Sequence, residues 1–273
     1  MFLKPRHPAL ADRKPGAPAW SLGPCRPLGY TALAAAILIA LTCSPATIDS
    51  APQFSEQELI GKVYFEQHQQ RFRKIDARYA SRAGMYMNQT AYKAFQEMYA
   101  AALKQGIKLT IVSAGRNFYD QKRIWEGKWS GQRLVGGQKL NLQFPDPGQR
   151  ALASLRYSSM PGTSRHHWGT DIDLVNLTNS YFASGHGKKI YTWLIQNAAA
   201  YGFCQPYTSK QTGRPGYEEE KWHWSYRPLA APMLQSYLEK IDNTKISGFA
   251  GSSVAPALKV VQQYVAGIDP ACK

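Results

Sequence analysis

Two short segments of this chain concentrate imidazole and carboxylate side chains. The first runs from Pro161 to Asp173 and the second from Glu218 to Trp224, and together they contain three of the six histidines of the 273-residue sequence. Because many residues separate the segments, a fold that uses both must bring two distant parts of the chain side by side. This requirement constrains the fold more than the composition does.

The spacing in the first segment suits a catalytic zinc site. Such a site uses three nitrogen, oxygen or sulfur ligands from the protein and keeps one position open. His166 precedes Asp173 by seven residues, a distance at which a single straight helix or strand would not bring both side chains to one metal ion. A loop that turns at Gly169 into a strand starting near Thr170 would join them. Asp171 and Asp173 would then share one face of that strand, because side chains alternate along it.

The second segment adds an imidazole and an acid. In an extended strand Trp222 and Trp224 point to one face and His223 to the other, which buries the indoles and presents the imidazole. Glu220 precedes His223 by three residues, so a bend near Lys221 is needed to bring its carboxylate towards the same site. A carboxylate there could take a proton from a zinc-bound water and pass it to a leaving amine.

Residue types alone leave alternatives open. Glu218 and Glu219 compete with Glu220 as the base, and the histidines could instead be ordinary core or surface groups. The sequence has no HExxH zinc-peptidase motif, and it has no GxSxG, SxxK, P-loop or GxGxxG motif in a suitable context. Serine-hydrolase and nucleotide-binding functions are therefore unsupported.

The combined motifs resemble one known family. The pattern SxHxxGxDxD from Ser164 to Asp173, followed by ExxH from Glu220 to His223, is similar to the VanY-type D-alanyl-D-alanine carboxypeptidases and the related VanX dipeptidases. The resemblance extends from about residue 80 to about residue 226. The usual family pattern is SxHxxGxAxD, so Asp171 stands where the family customarily has alanine.

This resemblance implies roles for individual residues. His166, Asp173 and His223 would be ligands of a Zn²⁺ cofactor, and Glu220 would be the catalytic base. Asp171 would add an acid beside the metal without changing the ligands.

Three further residues match other parts of the family pattern. Arg116, in the SxxR context that begins at Ser113, would polarise the scissile carbonyl or hold the anionic intermediate. Ser164 would help bind the terminal carboxylate of the substrate, and Gln121 would line the pocket. The implied fold is α+β of the Hedgehog/DD-peptidase type, a small antiparallel sheet flanked by helices.

The resemblance also implies an activity. We expect zinc-dependent hydrolysis of the terminal D-Ala-D-Ala bond of peptidoglycan stem peptides by a monomeric D,D-carboxypeptidase. Alternatives with the same site are an L,D-carboxypeptidase, a D,D-dipeptidase, an endopeptidase, or a zinc-containing wall-binding module without turnover. The segment 129–163, rich in glycine and proline, is expected to be a long loop that decides how much peptide fits.

The N-terminal segment is typical of an export signal. Basic residues precede the apolar run 30–44, which is shorter than the roughly 20 residues of a membrane span. We therefore expect residues 1–50 to be a signal peptide or a membrane anchor, and residues 51–273 to form the peptidase domain. Lipidation at Cys43 is an alternative, although the preceding residues Ala40-Leu41-Thr42 match the lipoprotein motif poorly. The expected location is the periplasm or cell envelope.

Charge and cysteines fit that location. The formal net charge of +15 favours polyanionic surroundings such as the bacterial wall, and no zinc-finger, RNP or helix-turn-helix signature supports nucleic acid as the partner. Cys204 and Cys272 could pair in an oxidising compartment, although sequence does not show that they are close.

Apolar periodicity predicts the main elements. Predicted helices cover 53–80, 89–105, 118–128, 187–202, 231–240 and 254–266, and predicted strands cover 107–113, 170–176 and 220–226. Because strands and helices do not alternate regularly, an α+β class is favoured over a doubly wound sheet.

Overall fold

The computed structural model describes residues 54–273. The α-helices in this range are α1 Glu56–Leu59, α2 Gln89–Leu103, α3 Phe118–Trp129, α4 Leu140–Gln143, α5 Pro147–Leu155, α6 Gly185–Asn197 and α7 Arg227–Lys240. The strands are β1 Phe72–Lys74, β2 Tyr86–Asn88, β3 Ile111–Ser113, β4 Asp171–Leu174, β5 Phe203–Cys204 and β6 His223–Tyr226. Several short 3₁₀ turns connect them.

The strands form two antiparallel sheets. One is the β1–β2 hairpin, and the other has four strands in the order β3-β4-β6-β5. Every strand pair in these two sheets is antiparallel, and helices and strands follow one another along the chain without regular alternation, which confirms the predicted α+β class.

Strand β4 divides its side chains between two environments. Ile172 and Leu174 face an apolar core, whereas Asp171 and Asp173 face the opposite side. All four are buried, so the acidic face is covered by other elements rather than by solvent. The predicted alternation is therefore confirmed.

Strand β6 follows the same rule. Trp224 packs into the apolar core together with Trp222, while His223 and Ser225 lie on the face that β4 lines with acids. The register places Asp173 opposite His223 and Asp171 opposite Ser225. Two strands far apart in sequence thus align their polar faces.

The apolar face of the four-stranded sheet packs against α2 and α6. Helix α2 buries Ala91, Phe95, Met98 and Ala102, which recur at the three- and four-residue spacing of one helix face. It begins at Asn88, whose side chain accepts a hydrogen bond from the Thr90 backbone N–H. The predicted helix at 89–105 is confirmed.

A second apolar cluster involves α1, α3, α5, α7 and the C-terminal segment. Trp125, Trp168 and Tyr237 are among its largest buried side chains. A disulfide between Cys204 and Cys272 ties the end of the chain to the edge strand β5. The sequence could not show whether these two cysteines are close, and the structure joins them.

The predicted helix at 53–80 is wrong. Only α1 is α-helical there, and 3₁₀ turns and β1 follow it. Gly61 ends the first turn with φ 76°, and a Cβ at this position would collide with the ring of His167. The chain leaves the helical path because the His167 ring packs against it at Gly61, a contact that the local apolar spacing does not reveal.

Two other predictions need correction. The segment 129–163 contains α4 and α5 and is not one long loop. Asp146 caps the start of α5 and Pro147 is its first residue, a helix-start signal that the glycines and prolines of the segment obscured. In place of the predicted helix 254–266, the chain forms a single π-helical turn at Val261–Val265, preceded by Lys259 at φ 48°.

In the described range, no helix has both the length and the apolar character needed to cross a bilayer. The segment predicted to be a signal peptide or anchor, 1–50, lies outside the described residues.

Candidate active site

Three predicted metal ligands converge on the polar face of the four-stranded sheet. Asp173 in β4 and His223 in β6 are register partners, and His166 lies in a 3₁₀ turn, Arg165–Trp168, just before β4. Asp173 Oδ2 is 3.4 Å from His166 Nε2, and its Oδ1 is 3.2 Å from His223 Nδ1. One ligand atom from each residue lies within 4.8 Å of the others, and all three residues are buried.

Gly169 makes the connection between the turn and the strand. It has φ 69°, a conformation that favours glycine, and it follows the turn that holds His166. The predicted change of direction at this residue is therefore observed. It places His166 beside Asp173 although seven residues separate them.

The outer nitrogen of each histidine ring is held by a fixed acceptor. His166 Nδ1 lies 2.9 Å from the Ala114 carbonyl oxygen, and His223 Nε2 lies 2.9 Å from Asp171 Oδ2. Because a carbonyl oxygen only accepts hydrogen bonds, the proton of neutral His166 is on Nδ1 and its Nε2 lone pair faces the site. In His223 the proton on Nε2 leaves Nδ1 for the site.

Asp171 is the centre of a buried polar network. Its Oδ2 accepts from Arg165 Nε at 3.0 Å, and its Oδ1 accepts from the hydroxyls of Ser225 and Thr170, each at 2.7 Å. Burial would raise the pKa of Asp171, but the Arg165 guanidinium and His223 hold it well below its usual range. This carboxylate therefore stays ionised beside the His223 ring.

Negative charge surrounds His223. Burial disfavours a charged imidazole, but the neighbouring carboxylates of Asp171, Asp173 and Glu220 hold the His223 pKa well above its usual value. Three carboxylates around one ring form an environment that favours a cation. Asp173 Oδ1 is buried and makes no hydrogen bond of good geometry, so it keeps a lone pair available for a metal ion.

The donor set fits a catalytic zinc ion. Two imidazole nitrogens and one carboxylate oxygen supply three ligands, as in catalytic zinc sites that keep a fourth position open. The hydrogen-bonded outer nitrogens match the supporting interactions that metal-bound histidines usually have. His166, Asp173 and His223 could thus hold a metal ion.

Glu220 reaches the same site through a turn. The His223 backbone N–H donates to the Glu220 carbonyl at 3.2 Å, and this turn brings Glu220 Oε2 to 3.2 Å from His223 Nδ1. Burial raises the pKa of Glu220, while its hydrogen bond to His223 lowers it. The bend that was predicted near Lys221 is present.

The neighbouring acids point elsewhere. Glu218 is 3.5 Å from Lys210 and Glu219 is 4.0 Å from Lys221, and both acids are partly exposed. Of the three adjacent glutamates, only Glu220 lies within 4.0 Å of a predicted metal ligand, a distinction that spacing left open.

The cavity beside this site has a volume of about 510 Å³. Arg116 and Gln121 line it together with the ligands and Glu220. Arg116 Nε is buried without a hydrogen-bond partner, and Gln121 donates to the Ser159 carbonyl at 2.7 Å. Ser164 is buried with an unpartnered hydroxyl but is not among the lining residues.

Other lining residues were not singled out from the sequence. Tyr207 packs edge-on against His223 with ring centres 4.7 Å apart, and Lys128 lies further along α3 than Gln121. Residues seven apart share a helix face, so the predicted helix at 118–128 already placed Lys128 on the same face as Gln121.

A family model described as VanY, D-alanyl-D-alanine carboxypeptidase, matches residues 84–229. The chain belongs to the VanY family. The matched range contains the three predicted ligands, Glu220 and Arg116. It begins before β2 and ends at the start of α7.

Curated relatives share limited identity with this VanY-family chain. "Putative carboxypeptidase YodJ" of Bacillus subtilis (strain 168) is 29% identical over 169 residues, which are 57% of this chain and 55% of the relative. A D-alanyl-D-alanine carboxypeptidase of Enterococcus faecium is 23% identical over 171 residues, 60% of this chain and 47% of the relative. The chain thus spans about half the length of these relatives.

Similar solved structures include VanYB in complex with D-alanine-D-alanine. It shares 22% identity at a TM-score of 0.43, covering 57% of this chain and 80% of that one. The LdcB LD-carboxypeptidase shares 20% identity at a TM-score of 0.45, covering 73% of this chain and 78% of that one.

Proposed function

We propose that this VanY-family protein is a zinc-dependent D,D-carboxypeptidase that releases the terminal D-Ala from peptidoglycan stem peptides. The observation that carries the proposal is the convergence of His166 Nε2, Asp173 and His223 Nδ1 with Glu220 in one cavity. All of these residues come from one chain, so the proposed site needs no second copy.

The proposed zinc ion would be held by His166, Asp173 and His223. When bound there, zinc supplies a Lewis acid that activates water and polarises a carbonyl group. Glu220 takes the proton of the attacking water and delivers it to the leaving amine nitrogen of D-Ala. The raised pKa of Glu220 suits both halves of this transfer, since a weaker carboxylic acid is a stronger base when ionised.

Arg116 complements this chemistry with positive charge. Its guanidinium lines the cavity, and no carboxylate lies within 4.0 Å of it in the described range. A fixed cation there stabilises the negative charge that develops on the carbonyl oxygen during attack. Its backbone is braced, because the Arg116 N–H donates to the His166 carbonyl and the Arg116 carbonyl accepts from His167 Nδ1.

A direct assay tests the proposal. The purified chain with zinc is incubated with a pentapeptide that ends in D-Ala-D-Ala, and released D-Ala is measured. We expect release that a chelator abolishes and zinc restores. Glu220→Gln should lower kcat by about 10²-fold or more, because general acid–base catalysis contributes about 10²–10⁴-fold.

Glu219→Gln is the matched control. Glu219 is the same residue type one position away and points to Lys221, so its loss should leave kcat nearly unchanged. No D-Ala release by the zinc-loaded wild type, or full activity of Glu220→Gln, would refute the proposal. Tetrapeptides, free D-Ala-D-Ala and cross-linked peptides, tested in parallel, separate L,D-carboxypeptidase, dipeptidase and endopeptidase activities.

The proposed location is the periplasm or cell envelope. The basic N-terminal residues followed by the apolar run 30–44 support export, and the Cys204–Cys272 disulfide fits an oxidising compartment. Fractionation of cells that express the full chain tests this location; recovery in the cytoplasm with both thiols reduced would contradict it.

A further inference from the structure

A buried glutamine lies behind Glu220 and has no role in the proposed mechanism. Gln205 directly follows strand β5, and only 6% of its surface is exposed. Its Nε2 amide donates to the Glu220 carbonyl at 3.2 Å and to the Tyr207 carbonyl at 3.1 Å, so both of its donors are used. Its Oε1 accepts from the Tyr191 hydroxyl at 2.9 Å. Each polar atom of this side chain therefore has a partner, and one partner is the backbone of the proposed base.

The two carbonyl groups would each keep one hydrogen bond without Gln205. The Glu220 carbonyl also accepts from the His223 N–H at 3.2 Å, and the Tyr207 carbonyl also accepts from the Glu220 N–H at 2.9 Å. A carbonyl oxygen has two lone pairs, so Gln205 supplies the second bond to each. Its amide thus ties the segment of Tyr207 to the turn of Glu220, and its contribution is to geometry more than to the satisfaction of buried groups.

The turn that carries Glu220 has no regular structure to fix it. Residues 218–220 belong to no helix or strand, and β6 begins only at His223. The position of the Glu220 carboxylate nevertheless matters, because proton transfer needs heavy atoms about 2.6–3.2 Å apart. Misplacement by about 1 Å can lower a rate by about 10²-fold. Side chains that hold this turn therefore affect the base directly.

Gln205 is itself held by two parts of the fold. Tyr191 belongs to α6, and burial raises its pKa to about 12, so its hydroxyl stays protonated and donates to Oε1. The preceding residue, Cys204, pairs with Ser225 of β6 and forms the disulfide with Cys272. Helix α6 thus orients the amide, while β5 and the disulfide fix its backbone.

We propose that Gln205 is a positioning residue of this peptidase, which holds the turn of Glu220 and so places its carboxylate for proton transfer. The inference rests on the proposed function of Glu220 as the base. Gln205 does not line the cavity, so it acts through Glu220 and not on the substrate. Tyr191, which orients the amide, acts through Gln205.

Steady-state kinetics of the zinc-loaded protein on a pentapeptide ending in D-Ala-D-Ala tests this series of contacts. Gln205→Met keeps the length of the side chain without the amide, and Tyr191→Phe removes only the hydroxyl. We expect Gln205→Met to lower kcat about 3- to 10-fold, the effect of one neutral hydrogen bond, and to change KM less than about 2-fold. Tyr191→Phe should lower kcat by less. The double variant should be no slower than Gln205→Met alone, because the two residues act in series.

A variant of the base separates positioning from general destabilisation. In a Glu220→Gln background the proton transfer that Gln205 supports is already lost, so adding Gln205→Met should leave the residual kcat unchanged. A residue that only stabilises the fold would lower kcat by the same factor in both backgrounds. The zinc Kd should escape the roughly 10- to 100-fold rise that follows loss of a metal ligand's partner, because Gln205 hydrogen-bonds to none of the three ligands.

Gln211→Met is the matched control. Gln211 is exposed in the 3₁₀ turn Lys210–Thr212, and its side chain makes no hydrogen bond among residues 54–273, so kcat should equal that of wild type. Circular dichroism shows whether each variant is folded. If Gln205→Met is unfolded, Tyr191→Phe takes its place, with a lower kcat alone and no further loss in the Glu220→Gln background.

Amide hydrogen exchange of the chelated protein gives a result that does not depend on hydrolysis. The N–H groups of Glu220 and His223 are hydrogen-bonded at this turn, so Gln205→Met should speed their exchange about 3- to 10-fold while the amides of β4 keep wild-type rates. Unchanged exchange at both amides, or an equal loss of kcat with and without Glu220, overturns the proposal. If the wild type releases no D-Ala, the peptidase function fails instead, and the exchange rates still decide whether Gln205 holds the turn.

Discussion

His223 Nε2 lies 2.9 Å from Asp171 Oδ2, and the same oxygen accepts a hydrogen bond from Arg165 Nε at 3.0 Å. All three side chains are buried. The carboxylate therefore fixes both the tautomer and the orientation of the His223 ring, and it stands where the family pattern customarily has alanine. Carboxylates in this position strengthen metal binding by a histidine.

Replacement of Asp171 by asparagine should weaken zinc binding. The expected rise in the zinc Kd is about 10- to 100-fold, since the amide removes the charge that holds the His223 ring. The metal-free protein should also lose about 3–5 kcal/mol of unfolding free energy, because Arg165 would remain buried without its counterion. Competition with a chromogenic chelator measures the Kd, and urea denaturation with chelator present measures the stability.

Asp76→Asn provides the comparison for this change. Asp76 forms an exposed ion pair with Arg78, with Oδ1 and Nε 3.1 Å apart, and it lies outside the candidate site. Its replacement should change neither quantity appreciably. An unchanged zinc Kd in Asp171→Asn would show that the network serves folding alone.

A second expectation concerns acid stability. His167 is buried with both ring nitrogens in use: Nδ1 lies 2.7 Å from the Arg116 carbonyl oxygen, and Nε2 accepts from the Gly162 N–H at 3.0 Å. A protonated ring could not accept that second bond. Burial lowers the pKa of His167 to about 3 from its usual 6.5, although the hydrogen bond to Arg116 opposes the shift.

The unfolded chain therefore binds a proton that the folded chain excludes between about pH 6.5 and 3. The stability that neutral His167 provides is present above pH 6.5 and is lost as the pH falls, by about 1.4 kcal/mol per pH unit for one proton. Urea denaturation of chelated protein between pH 7.5 and 5 should show a shallower loss in His167→Gln than in wild type. His68→Gln, a change at an exposed histidine, should keep the wild-type slope, and equal slopes in all three proteins would contradict the assignment.

Part of the geometry of the predicted metal ligands could be predicted from the sequence. Alternation along β4 and β6 depends on local backbone geometry, so the polar faces of Asp173 and His223 could be predicted before their pairing was known. Their register could not, because it depends on which strands pair. Local spacing also could not predict which of the three glutamates faces the site. The turn that points Glu220 towards His223 is held by Asn179, about 40 residues away in sequence, which hydrogen-bonds to the Glu219 carbonyl and to the Lys221 N–H.

The errors have a common physical origin. Apolar spacing at 53–80 resembled a helix, but the ring of His167, distant in sequence, packs at Gly61 where the helix would continue. Tertiary contact overrode local propensity there. In contrast, α5 was missed although its cap, Asp146 followed by Pro147, was visible in the sequence.

Gly169→Ala should disturb both folding and metal binding. Gly169 has φ 69°, which costs a non-glycine residue about 1–2 kcal/mol, and a Cβ there would lie 2.8 Å from Phe72 Cε1 and 3.0 Å from the Asn88 backbone nitrogen. Gly106 is the matched control, with φ 71° and nothing within 4 Å of the position that a Cβ would take. Gly169→Ala should therefore lose more unfolding free energy than Gly106→Ala and should alone raise the zinc Kd, because relief of the contact moves the turn that carries His166. If Gly169→Ala and Gly106→Ala lost equal unfolding free energy in urea denaturation and bound zinc equally well, backbone strain would be the whole effect. The contact of Gly169 with β1 and β2 would then not position His166.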